Sequence, residues 1–284
     1  MATKRGSCLC GDVTWEADGP FELMGHCHCS RCRKAHGTAF STSMVTPAAA
    51  FRFRSGQEAI VKNDWAGGRS FCGRCGASTP AAADEGRVFV HAGSFDDDPG
   101  VRPLAHIFVG SKAPWYEFPP ADALPRFDAW PPGFDYPVLP DPPLGPTRSG
   151  VVRGSCLCGG VAFEMTGPPT TVRYCHCSRC RKARAAAHAT NLVAPMEAVR
   201  FVRGEERVRI FKLPEARFFS QAFCADCGGK LPRLDPGRGI AIVPLGALDD
   251  DPGIRAACQI FVADRAPWVV VDERIPAYEQ AAPA

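Results

Sequence analysis

Arg5-Gly6-Ser7-Cys8-Leu9-Cys10-Gly11 begins a 31-residue stretch that ends in Cys27-His28-Cys29-Ser30-Arg31-Cys32-Arg33-Lys34-Ala35, and the whole returns as Arg153–Ala183 with 20 identities at a constant offset of 148. A later block, Gly93–Trp115, returns as Gly246–Trp268 with 13 identities in 23 positions at offset 153. A repeat this long is domain-sized and not a solenoid unit, so the 284-residue chain reads as one domain written twice. The expected division is 1–118 for the first domain, 119–150 for a linker and 151–284 for the second domain.

Pro119–Gly150 holds ten prolines in 32 residues, which favours extended polyproline conformation and excludes a helix or a central strand. Its aromatic residues Phe127, Trp130, Phe134 and Tyr136 suit a strap lying against the domains better than a solvated tether. Within each copy apolar residues alternate over short distances, as at Val13 and Trp15, at Phe51 and Phe53, and at Val88 and Val90. Turn clusters such as Asp96–Gly100 separate these runs, and 28 glycines with 27 prolines disfavour long helices. The expected fold is all-β, in two tandem β-rich metal-binding domains. One segment, Arg181–Ala189, is Ala-rich and helical by propensity, but its counterpart Arg33–Ser41 contains Gly37. One helical turn followed by a strand is therefore expected in both copies.

Lysine and arginine exceed aspartate and glutamate by only three, and no basic run marks a nucleic-acid partner. No stretch approaches the ~18 apolar residues of a membrane span, and Met1–Arg5 lacks a signal-peptide core. A cytoplasmic protein with no nucleic-acid or membrane partner is the expectation. In a reducing compartment fifteen cysteines point to metal ligation before disulfides.

Fourteen of the cysteines repeat in three clusters. Cys8 and Cys10 return as Cys156 and Cys158; Cys27, Cys29 and Cys32 as Cys175, Cys177 and Cys180; Cys72 and Cys75 as Cys224 and Cys227. Cys258 stands alone and reads as a buried apolar residue. Seven sulfurs per copy make one complete four-cysteine site and leave three over. A structural zinc site is closed by four protein ligands, whereas a catalytic one keeps a position open. Both the Cys-x-x-Cys and the Cys-x-Cys clusters end in glycine, which pairs Cys8 and Cys10 with Cys72 and Cys75, and Cys156 and Cys158 with Cys224 and Cys227. The open sites are then Cys27, Cys29 and Cys32, and Cys175, Cys177 and Cys180, giving two zinc ions per domain and four per chain. The alternatives are a closed site completed by His28 or His26, an iron–sulfur centre, and a redox pair. Four metal ions held by fourteen thiolates would turn the formal +3 into about −3.

The order Gly-Ser-Cys-Leu-Cys-Gly, His-Cys-His-Cys-Ser-Arg-Cys-Arg-Lys, Phe-Cys-Gly-Arg-Cys-Gly, and Arg-Pro-Leu-Ala-His-Ile-Phe-Val with Lys-Ala-Pro-Trp resembles the glutathione-dependent formaldehyde-activating enzyme family, which includes the centromere protein V branch. The resemblance covers both copies. It implies a small β-rich zinc fold of the β-tent type, with one structural and one catalytic zinc per domain. It also implies carbon–sulfur lyase chemistry interconverting S-hydroxymethylglutathione with glutathione and formaldehyde. Carried onto this sequence, the catalytic ligands fall on Cys27, Cys29 and Cys32, in agreement with the count.

Three thiolates make zinc a weak Lewis acid, better suited to holding a substrate thiol as thiolate than to polarising a carbonyl. A small thiol such as glutathione, with an aldehyde, is the expected substrate pair. Its carboxylates call for cations, and Arg31, Arg33 and Lys34 adjoin the open site, with Arg69 and Arg102 as further candidates. His106 suits a catalytic proton shuttle, with His91 as the other choice. The copies diverge here: Tyr174 replaces His26, Arg184 replaces His36, Pro244 replaces His91 and Gln259 replaces His106. The second domain therefore reads as one that keeps its metal but takes a different ligand or serves as scaffold. A non-catalytic zinc-stabilised binding module is the alternative function.

Overall fold

The computed structural model describes residues 3–63, 67–84, 86–134, 138–139 and 147–283. The chain is mostly β, in two halves of the same plan, as the repeat and the alternation imply. In the first half Lys4–Ser7, Thr14–Ala17 and Phe51–Ser55 form one small sheet, and Ile60–Asn63, Arg69–Cys72 and Ser78–Thr79 another. The central sheet runs, in spatial order, His106–Ile107, Glu22–Cys27, Ser41–Pro47, Arg87–His91 and Ala81–Ala82. In the second half the central order is Cys258–Ile260, Thr171–Cys175, Ala189–Pro195, Ile240–Pro244 and Arg233–Asp235, with Ala277–Tyr278 added in parallel beside Cys258–Ile260. In the first half that added edge is represented by a parallel bridge from Arg126 to His106. The strands form where the side chains alternate: Trp15 and Ala17 point into the core, and Trp15 packs edge-on against Phe95 at 4.6 Å.

Among the described residues each half has one α-helix, α1 (Ser30–His36) and α2 (Ser178–Arg184), starting at a sulfur. The Cys29 side chain accepts from the Cys32 N–H, and Cys177 from Cys180, in the place usually taken by a capping oxygen. Seven residues make about two turns, longer than the single turn expected. The Ala-rich run nevertheless leaves the helix at Ala185, which adopts φ 47°. The reason is tertiary. Gly93 of the first half sits so close to Ala186 that a Cβ there would lie 2.1 Å from the Ala186 nitrogen. Gly246 makes the reciprocal approach to α1, where a Cβ would lie 2.3 Å from the Arg33 oxygen. Packing overrides propensity.

The two halves share one core, in which Trp15 and Phe95 join Phe163 and Leu245. A second cluster unites Cys8 and Phe71 with Phe211 and Phe223. Two reciprocal ion pairs cross the junction. Lys34 is buried against Asp249 at 2.5 Å and donates to the Ser155 carbonyl and hydroxyl at 2.9 and 2.8 Å. Its repeat-equivalent Lys182 pairs with Asp96 and donates to the Ser7 hydroxyl. Lys34→Met strands a desolvated carboxylate and should cost about 3–5 kcal/mol in urea denaturation. Removing the exposed Arg52–Asp18 pair should cost no more than about 1 kcal/mol.

The proline-rich segment contacts the first half. Pro125 accepts from the His106 N–H at 2.8 Å, Phe127 donates to the His106 carbonyl at 2.9 Å, and Trp130 stacks edge-on against Phe108. Tyr136 lies outside the described residues. Among the described residues no helix is long and apolar enough to cross a membrane.

Candidate metal centres and active site

Cys8 and Cys10 lie just after the first strand, and Cys72 and Cys75 at the turn that follows Arg69–Cys72, so folding brings together thiols far apart in sequence. Their sulfurs all lie within 4.8 Å of one another, as do those of Cys156, Cys158, Cys224 and Cys227. Sulfur–sulfur distances of 3.3 and 3.8 Å in the first cluster, and 3.4 and 3.9 Å in the second, are far too long for disulfides. They match the roughly 3.8 Å edge of a tetrahedron with metal–sulfur bonds of about 2.3 Å. Backbone N–H groups of Val13 and Val161 point at Cys8 and Cys156, as thiolate ligands require. Hydrogen bonding among the sulfurs pulls the Cys8 thiol down and pushes Cys75 up, so the cluster shares protons that a divalent cation would displace. The donor set fits a closed metal site in each half.

The three-sulfur groups are Cys27, Cys29, Cys32 and Cys175, Cys177, Cys180, each mutually within 4.8 Å. Among the described residues no histidine or carboxylate completes either set within that distance. In the first group the sulfurs of Cys27 and Cys29 hold Cys32 well below the usual thiol range, helped by Arg69, whose guanidinium donates to Cys32 at 3.2 Å. The first group is half-buried at Cys27 and Cys29. The second is buried at all three cysteines, with Phe219, Ile260 and Phe261 packed against it. The two clusters thus differ by a modest margin of surface exposure.

Side chains alternate along the strand leading to Cys27, which puts His26 and His28 on the face opposite the Cys27 sulfur. His26 bonds Thr42 through Nδ1 at 2.9 Å. His28 Nε2 bonds His106 Nδ1 at 2.9 Å, and His106 Nε2 bonds Asp122 at 2.9 Å. The carboxylate accepts from His106 Nε2–H, so His106 Nδ1 accepts from His28, and each tautomer is fixed. The shuttle expected at His106 thus falls on a residue that is hydrogen-bonded on both sides. Both of its ring nitrogens are spent, and it bears on the sulfurs only through His28, as a positioning residue. His91 is likewise placed elsewhere, on Ser43 at 2.9 Å and stacked on His36. In the second half Gln259 stands in for His106 and donates to the Asp272 backbone carbonyl.

Lys34 is corrected: burial against Asp249 removes it from the substrate-binding candidates. Arg33 donates to the carbonyls of His28 and Ser111, bracing the turn between the ligands, and Arg31 flanks Cys32 on α1. Arg102 pairs with Asp98 at 2.9 Å. Sequence reasoning missed Asp122, which hides in the proline-rich segment, and Lys230. The Lys230 ammonium is fully buried and donates to the carbonyls of Gly76 and Gly228 at 2.5 and 2.8 Å, bridging the glycines that follow Cys75 and Cys227. Lys230→Met leaves both carbonyls unpaired beside two anionic clusters. It should lower stability by about 2–5 kcal/mol in urea titration of the metal-loaded protein.

The family model described as glutathione-dependent formaldehyde-activating enzyme matches residues 3–111 and again 151–264. No curated protein matches the chain. Among solved structures a Rhodobacter sphaeroides protein is 25% identical over 35% of this chain and 89% of its own, with a TM-score of 0.29.

Proposed function

For a chain that belongs to the glutathione-dependent formaldehyde-activating enzyme family, we propose a zinc-dependent carbon–sulfur lyase that interconverts S-hydroxymethyl thiol adducts with free thiol and formaldehyde. The four-sulfur clusters hold structural zinc. The first half's Cys27, Cys29 and Cys32 hold a catalytic one. Zinc bound by three thiolates supplies a cation that captures the sulfur of an incoming thiol in its ionised form. The observation that carries the reading is a three-sulfur cluster that no histidine or carboxylate among the described residues completes.

Around it each residue has a physical task. Arg69 offsets the charge of Cys32. Asp122, His106 and His28 form a fixed hydrogen-bonded chain behind the strand, which holds Cys27 and Cys29 in place. Arg33 clamps the His28 carbonyl, and Arg31 presents a cation beside Cys32 for a substrate carboxylate. In the release direction the carbon–sulfur bond breaks with its electron pair on sulfur. The hydroxyl O–H pair becomes the new C=O bond, and the proton leaves to water reaching the half-exposed sulfurs. The second half's three-sulfur cluster is the less exposed of the two and has Gln259 in place of His106, which supports a scaffold role for it.

Proton NMR of formaldehyde with glutathione tests the reading. Holoprotein should accelerate exchange between adduct and free components, and exchange at the protein-free rate would contradict it. A His106→Gln variant, copying Gln259, should retain its metal and lose roughly 10–100-fold in rate. An unchanged rate would remove His106 from the positioning chain.

A further inference from the structure

A cavity of about 270 Å³ lies between the two halves, on the face of the central strands away from the sulfurs, and no cysteine lines it. Its walls are rings from both sides of the repeat: His26, Phe40 and Tyr116 from the first half, and Tyr174, His188 and Trp268 from the second. We propose that this cavity is a binding site for one uncharged, two-ring aromatic molecule.

Size, wall chemistry and charge each narrow the ligand. A dry cavity of about 150 Å³ holds a single benzene, so this one accommodates a fused bicycle and is small for an extended tripeptide. Stacked and edge-on aromatic contacts favour a planar guest. Burial keeps the Tyr116 phenol protonated and His188 neutral, so the interior offers no charge to an ion. At the mouth Arg102 is held by Asp98, and Arg274 holds both Glu117 and Asp272. With both arginines already paired to carboxylates, the mouth offers little to attract an anionic guest.

The repeat makes this site single. His26 faces Tyr174 at equivalent positions, Phe40 faces His188, and Tyr116 is matched by Val269, so the two walls differ and one orientation is selected. Two copies of an identical domain would have made a symmetric cavity; divergence made a specific one. The inference does not rest on the lyase reading: no sulfur ligand lines the cavity, and Asp122 is shared only through its bond to His106.

Calorimetric titration of the metal-loaded protein with indole tests it, with indole-3-acetate as the anionic counterpart. Indole should bind once per chain, and indole-3-acetate at least about tenfold more weakly. Ala187→Phe fills the cavity from its floor, and Val270→Trp blocks it from the exposed rim; each should weaken indole at least about tenfold. Saturating glutathione should leave indole affinity unchanged. The proposal is overturned by any of these results: no saturable indole binding, equal affinity for the acetate, unchanged affinity in whichever variant keeps the native melting transition, or competition by glutathione.

Discussion

Stripping the metal with a strong chelator should abolish the cooperative thermal transition of the whole chain, and adding zinc back should restore it. Each four-sulfur cluster ties the opening strand of its half to a turn more than sixty residues further on. Apparent binding free energies of structural zinc in small domains are about 10–16 kcal/mol, comparable to or above the roughly 5–15 kcal/mol that holds an ordinary domain folded. Without the cation, four crowded sulfurs must take up protons and lose the staple. The loss should not stay in one half. Gln221 of the second half donates to the Cys75 carbonyl at 2.7 Å, Asn63 of the first donates to the Cys227 carbonyl at 3.1 Å, and Lys230 spans both glycine turns. A single Cys75→Ser substitution should therefore broaden or abolish one joint transition. Circular dichroism melts of the native, chelated and reconstituted protein are the measurement. An apo form that melts cooperatively within a few degrees of the holo form would show that the shared core alone specifies the fold.

The second large effect is an asymmetry between equal motifs. Cys29→Ser should reduce thiol–formaldehyde exchange by at least about 100-fold, because it removes a sulfur from the more exposed cluster. Cys177→Ser, its repeat-equivalent, should leave exchange within a few-fold of the parent once the protein is folded and metal-loaded. The physical basis is exposure. Cys27 and Cys29 are half-buried, whereas Cys175, Cys177 and Cys180 are buried, with Phe219, Ile260 and Phe261 packed against them. The supporting chain differs too, since the first half aligns Asp122, His106 and His28 and the second places Gln259 on a backbone carbonyl. Metal content of each variant must be measured alongside the rate. Equal losses from the two substitutions would mean that both clusters turn over.

Much of the fold was legible because cysteine spacing and strand alternation are local signals. The grouping of sulfurs into fours and threes needed only a count, a pair of trailing glycines and the resemblance. What escaped depends on contacts between the copies. Lys34 reads as a cation beside the open cluster until Asp249, from the other half, is found against it. The repeat did carry a hint: Lys34 and Asp96 recur as Lys182 and Asp249, while most histidines do not, as expected of residues with a shared structural task. The early end of the second helix was read from the other copy's Gly37, but its cause, Gly93 of the first half pressing on Ala186, is a contact between the copies. Asp122 was invisible because a proline-rich run gives no cue that one of its acids turns inward to a histidine sixteen residues earlier.

The account is tested most directly by cadmium NMR of the metal-substituted protein during titration with glutathione. It predicts four resonances, two typical of four sulfurs and two of three, with one of the latter pair moving as thiol is added and missing from Cys29→Ser. If all four resonances stay fixed while thiol is in excess, no metal has a corner to offer, and the proposed chemistry is contradicted.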